Sequence, residues 1–121
     1  MKKQMEKNIY QEETAERPVR KSVQFPTYLI VGDNRYAGNI MNISVSGIAI
    51  FVDTHFPEKT IDCKKREILT LEVQSPLGKL IKLKCKIIWL RFQQYSEGLT
   101  TSMGMEIIDP PADFMNLFNG L

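Results

Sequence analysis

The sequence predicts a mainly β protein: a six-stranded antiparallel barrel, or a closed sandwich, ending in one short helix. Three observations carry this expectation. Six apolar runs of strand length are separated by short turn signals. One of them, Ile81 to Trp89, alternates apolar side chains with Lys82, Lys84 and Lys86 at period two. A last apolar cluster, Phe114, Leu117 and Phe118, recurs at helical spacing just after Pro110-Pro111. Closure into a barrel removes the exposed edges that a small sheet would otherwise present.

The elements follow in chain order. Residues 1–15 are polar and read as a flexible arm, with residues 16–121 as the folded domain. From Ser22 to Val31 the apolar positions Val23, Phe25, Leu29 and Val31 share one face, and Pro26 places the run at an edge or a bulge. Gly32-Asp33-Asn34 is a hairpin turn leading into a second run, Arg35 to Asn42. The third, Ile48 to Val52, is apolar on both parities, which implies cover on both faces. Asp53 to Arg66 loses all pattern and reads as a long loop holding His55. Glu67 to Gln74 resumes, and Ser75-Pro76-Leu77-Gly78 turns the chain into the Ile81–Trp89 run. There the apolar side chains, Trp89 included, are expected inside. The lysine row is expected to be a solvated face that guards a strand edge. Leu90 and Phe92 shift the parity, which signals a bulge or a strand end. Met103 to Ile107 form the last strand. Asp109 is placed to cap a helix running from Ala112 to Asn119.

Composition narrows the function classes. With 43% hydrophobic residues in 121, the chain has enough apolar side chains for a single packed core. A net charge of +2 is far from the footprint of a duplex-DNA binder. No apolar stretch is long enough to span a membrane, and the start of the chain has no apolar core of a secretory signal. Cys63 and Cys85 are the only cysteines, without metal-ligand spacing, so a reducing compartment, the cytoplasm, is expected. His55 is the only histidine, and no phosphate-binding glycine loop is present. Nothing supports catalysis or a metal cofactor, so recognition is the expected activity.

Two segments stand out as recognition elements. Arg17-Pro18-Val19-Arg20-Lys21 sets three cations in five residues ahead of the first strand. Guanidinium groups hold phosphate through two parallel bonds and read the Hoogsteen edge of guanine. Asn42-Ile43-Ser44-Val45-Ser46-Gly47 joins two strands while presenting an amide, two hydroxyls and a close-approach glycine. Each alone has an ordinary explanation, as a basic flank and as a polar corner.

Together, and in this order, they resemble the PilZ domain family. That family has an Arg-x-x-x-Arg arm ahead of a six-stranded barrel and then an Asp/Asn-x-Ser-x-x-Gly motif on the barrel surface. The second motif is matched by Asn42, Ser44 and Gly47. The hairpin between the motifs, Met103-Gly104-Met105-Glu106-Ile107 and the terminal helix resemble the family too, from about Glu16 to Leu121. The resemblance implies a cytoplasmic receptor and adaptor for the bacterial second messenger cyclic di-GMP, acting without catalysis on an unidentified protein partner, as monomer or dimer. It also implies that the arm closes over the ligand. Arg17 falls on the first arm arginine. The second falls on Lys21, which keeps the charge but lacks the planar fork. Arg20 lies one place earlier and substitutes if the arm shifts register. Asn42 and Ser44 are expected to bond the ligand, with Gly47 keeping the turn tight. The alternatives are a PilZ-like interaction module that binds no nucleotide and a small barrel for single-stranded nucleic acid. The second ranks low, because aromatic side chains do not interleave the lysine row.

Overall fold

The computed structural model of the chain describes residues 19–56 and 60–121. Residues 1–15, expected as a flexible arm, and Arg17 and Pro18 of the basic segment lie outside the described residues, whereas Arg20 and Lys21 are described. The described residues form seven strands and one helix: β1 (Lys21–Ser22), β2 (Pro26–Val31), β3 (Asn34–Ile43), β4 (Gly47–His55), β5 (Ile68–Gln74), β6 (Leu80–Tyr95), β7 (Gly98–Ile108) and α1 (Ala112–Asn119). All pairings are antiparallel. The neighbours run β3-β2-β5-β6-β7-β4, and β4 returns to β3, closing a six-stranded barrel. The short β1 adds to β3 beside the start of β2.

Period-two patterning builds the core. Leu29, Ile40, Ile43, Ile48, Ile50, Leu71, Leu83, Cys85, Ile87 and Met103 are all fully buried inside the barrel. Helix α1 turns Phe114 and Phe118 onto the same cluster. A helix of two turns does not hold itself together in water, so this docking is what keeps it formed. Burial pushes the Cys85 thiol up to about 12, which leaves it protonated and inert as a nucleophile.

Three one-residue bulges interrupt the ladder. The first lies between Ser22, opposite Asn42, and Pro26, opposite Asn39. It accommodates a proline that cannot donate to the ladder. The second is at Met41 in β3, and the third at Ile88 in β6, where the register steps from Ile87–Met105 to Trp89–Gly104. The third corrects the expectation for Trp89. One inserted residue reverses the alternation, so Ile88 and Trp89 are both partly exposed, and Trp89 leaves the core for the outer face.

Other expectations also change. The lysine row does face outward, but β6 pairs with β5 on one side and β7 on the other, so it guards no edge. His55 closes β4 rather than sitting in a loop, with its ring edge-on to Tyr95. Asp109 does not cap α1. It adopts a φ of 48° in the turn before Pro110, and Pro111 occupies the N-cap with no side-chain bond. The Pro111 carbonyl accepts from the amides of Phe114 at 3.0 Å and Met115 at 3.1 Å, the third and fourth residues of the helix. Asp113, in the first turn, pairs with Lys79 at 3.1 Å.

Thr101 is fully buried on β7, and its hydroxyl finds no partner among the described residues. An unpaired buried hydroxyl costs stability, and valine has nearly the same shape. Thr101→Val is therefore expected to raise the unfolding free energy by roughly 1 kcal/mol, read by urea titration.

Candidate functional site

The hairpin between β3 and β4 supplies the polar turn. The Ser44 amide donates to the Gly47 carbonyl at 2.8 Å. The Ser44 hydroxyl donates to the same carbonyl at 3.4 Å and accepts from the Ser46 amide at 3.3 Å. Ser44 is only 2% exposed, so its hydroxyl works inside the turn and sets its shape. The Ser46 carbonyl accepts from the Ile107 amide at 2.9 Å, which ties the turn to β7.

Arg20 reaches this turn. Its Nη1 donates to Asn42 Oδ1 at 2.6 Å, a charge-assisted bond on the barrel surface. A Cβ added to Gly47 would stand 3.3 Å from Arg20 Nη2 and 3.4 Å from both Ser44 Oγ and the Met105 carbonyl oxygen. Glycine therefore lets the guanidinium lie over the backbone of β4. Arg20, Asn42, Ser44 and Gly47 are thus assembled at one place.

Lys21 goes elsewhere. It pairs with Ile43, whose side chain is in the core, so it projects toward the barrel interior rather than the outer face. Its Nζ donates to the carbonyls of Phe118 at 3.1 Å and Leu121 at 3.3 Å, and sits 4.3 Å from the centre of the Phe118 ring. The last turn of α1 has no cation of its own, and Lys21 supplies the positive charge that a helix C-terminus favours. Neighbouring cations on a strand point to opposite faces, and here one serves the polar turn and the other the helix.

A row across four strands extends the site. Asn42 lies opposite Ala49, Ala49 opposite Gly104, and Gly104 opposite Trp89. A Cβ at Gly104 would collide with Trp89 Nε1, Cε2 and Cδ1, so the indole lies over the β7 backbone. The ring remains 36% exposed, and the Arg91 guanidinium stands 5.4 Å from it. Ala49, the small residue between amide and indole, is itself buried, as is Gly104 beneath the ring. An open cleft of about 680 Å³ borders Asn39, Met41 and Phe51 on this side of the barrel and runs to Ser22 and Gln24. Sequence reasoning missed Trp89. The available signal was Gly104, since a glycine inside a strand marks close approach by another group.

This face combines a cation, an amide, a close-approach glycine and a flat aromatic surface. Among the described residues no group of three or more His, Cys, Asp or Glu side chains is arranged to hold a metal ion. None of the described helices is long and apolar enough to cross a membrane.

The family profile described as "PilZ domain" matches residues 14–119. The chain belongs to the PilZ domain family. Solved structures with the same PilZ fold include the Bacillus subtilis inhibitor of motility, MotI/DgrA, at 18% identity and a TM-score of 0.67, covering 87% of this chain and 48% of that one. The PilZ domain of YcgR from Escherichia coli, solved with c-di-GMP, is 11% identical with a TM-score of 0.64, covering 87% of this chain and 92% of that domain. The PlzA protein of Borreliella burgdorferi, solved in complex with c-di-GMP, is 11% identical with a TM-score of 0.63, covering 94% of this chain and 54% of that one. This PilZ chain thus spans about half the length of MotI/DgrA and of PlzA. No curated protein matches it.

Proposed function

We propose that this chain is a cyclic di-GMP receptor that acts as an adaptor, binding the dinucleotide on the barrel face around Arg20, Asn42 and Gly47. The observation that carries this reading is the Arg20 guanidinium held over Gly47 and against Asn42. The PilZ domain of YcgR and PlzA, each solved with c-di-GMP, share the fold and support the choice of ligand.

In this reading Arg20 is an arm cation in the place that spacing alone gives to Lys21. Its planar fork suits phosphate oxygens and the O6/N7 edge of guanine. Arg17, five residues before Ser22, adds a second guanidinium from the arm. Asn42, released from Arg20, offers an amide to the base. Ser44 holds the turn, and the exposed indole of Trp89 gives a base a surface to stack on. Lys21 holds the root of the arm against α1 instead of touching the ligand. No bond is made or broken. Ordering of the arm over the ligand changes the surface offered to a protein partner, in the cytoplasm.

Titration calorimetry of the protein with cyclic di-GMP tests the reading. Saturable heat at micromolar ligand is expected. Absence of heat at high micromolar ligand rejects it in favour of an interaction module indifferent to the nucleotide. One observation favours that second reading: Arg20 and Asn42 already satisfy each other, so a ligand must displace a 2.6 Å charge-assisted bond.

A further inference from the structure

The polar face has one carboxylate whose purpose the arm and the turn do not explain. Glu106 on β7 lies directly opposite Gly47. Its neighbours Met105 and Ile107 are buried, so Glu106 projects outward, on the face where Arg20 covers Gly47. Directly opposed residues have Cβ positions about 5 Å apart, which puts the Glu106 side chain on the same patch of the face as the Arg20 guanidinium. Lys86 of β6 is its opposite neighbour on the other side. Yet among the described residues Glu106 forms no ion pair, and Arg20 gives its bond to Asn42. The strand holds it in place, since the adjacent Ile107 amide is bonded to the Ser46 carbonyl at 2.9 Å.

The chemistry of guanine gives this group a task. Guanine carries acceptors at O6 and N7 and donors at N1–H and the N2 amino group. Arginine and lysine only donate, so they read the acceptors and the phosphates. They cannot bond N1–H or the N2 amino group. A carboxylate only accepts, and its two oxygens match two adjacent donors. Adenine presents an unprotonated N1 at the same edge and is repelled. Asn42 fits this edge less well, because a carboxamide has one acceptor oxygen and its NH2 only donates, so it cannot match two adjacent donors.

We infer that Glu106 determines base specificity, accepting hydrogen bonds from the N1–H and N2 amino groups of one guanine while Arg20 engages the acceptor edge or the phosphates. The inference rests on the cyclic di-GMP reading above and makes it more specific. Glu106 touches no other described side chain through a bond, so its replacement leaves the fold intact and the melting temperature unchanged.

The test is calorimetry of the unaltered protein, Glu106→Ala and Glu106→Gln with cyclic di-GMP, cyclic di-IMP and cyclic di-AMP. Hypoxanthine in cyclic di-IMP lacks only the N2 amino group. The unaltered protein is expected to prefer cyclic di-GMP over cyclic di-IMP by about tenfold, the effect of one charge-assisted bond. Glu106→Ala is expected to weaken cyclic di-GMP by about tenfold or more and to erase that preference to within about twofold. Glu106→Gln, with one acceptor left, should fall between. If both variants bind all three dinucleotides as tightly as the unaltered protein, or more tightly, Glu106 acts only as a repelling charge. The inference then fails while the receptor reading stands. If the unaltered protein binds no cyclic di-GMP, both fail together.

Discussion

Arg20→Ala is expected to weaken cyclic di-GMP binding by about 30-fold or more, the effect of truncating a desolvated charged partner worth upward of 2 kcal/mol. The argument rests on position. The guanidinium is the one described arm cation on the outer face, within bonding distance of Asn42 and against Gly47. Arg20→Lys should recover only part of the loss, because an ammonium lacks the paired donors. Lys21→Met provides the contrast. It leaves the ligand face untouched but removes the charge from the carbonyls of Phe118 and Leu121. It should cost about 1 kcal/mol of stability with little change in affinity. Equal loss of affinity in Arg20→Ala and Lys21→Met would overturn this division of labour.

Phe114→Ala is expected to have the largest effect on stability, about 3–5 kcal/mol, the usual cost of emptying a large aromatic site in a packed core. Phe114 is completely buried and is, with Phe118, the means by which α1 joins the barrel core. Such a loss is a large share of the stability of a domain this size and lowers the melting temperature by roughly 10–20 °C. Thermal and urea unfolding measure it. A change below about 1 kcal/mol would mean that the helix docks too loosely for its aromatic side chains to matter.

The barrel was legible because burial writes itself into alternation. Leu29, Leu71, Leu83 and Ile87 fall on the parity that the core needs, and the strands around them lie where the periodicity predicts. The upper part of the β6–β7 hairpin was not legible. Residues 91–95 and 98–102 pair through their backbones well beyond the expected strands, yet their side chains are mostly polar or exposed and leave no apolar rhythm. The polar turn was readable from Asn42, Ser44 and Gly47, although the inward position of Ser44 depends on hydrogen bonds that composition does not encode. Trp89 was misplaced because a bulge of one residue, Ile88, reverses parity without altering the apolar character of the run.

The opposite facing of Arg20 and Lys21 bears on how basic motifs at the foot of a strand are compared between proteins. Counting residues between two cations treats the chain as a ruler, whereas a strand is a two-sided ribbon. Lys21 has the spacing of a second arm arginine but the orientation of a helix cap, while Arg20 has the orientation without the spacing. Inserting one residue between Arg20 and Ser22 would exchange faces while leaving the composition nearly the same. Aligning such arms on the first inward-facing residue of the strand, rather than on the arginines, would keep equivalent side chains together.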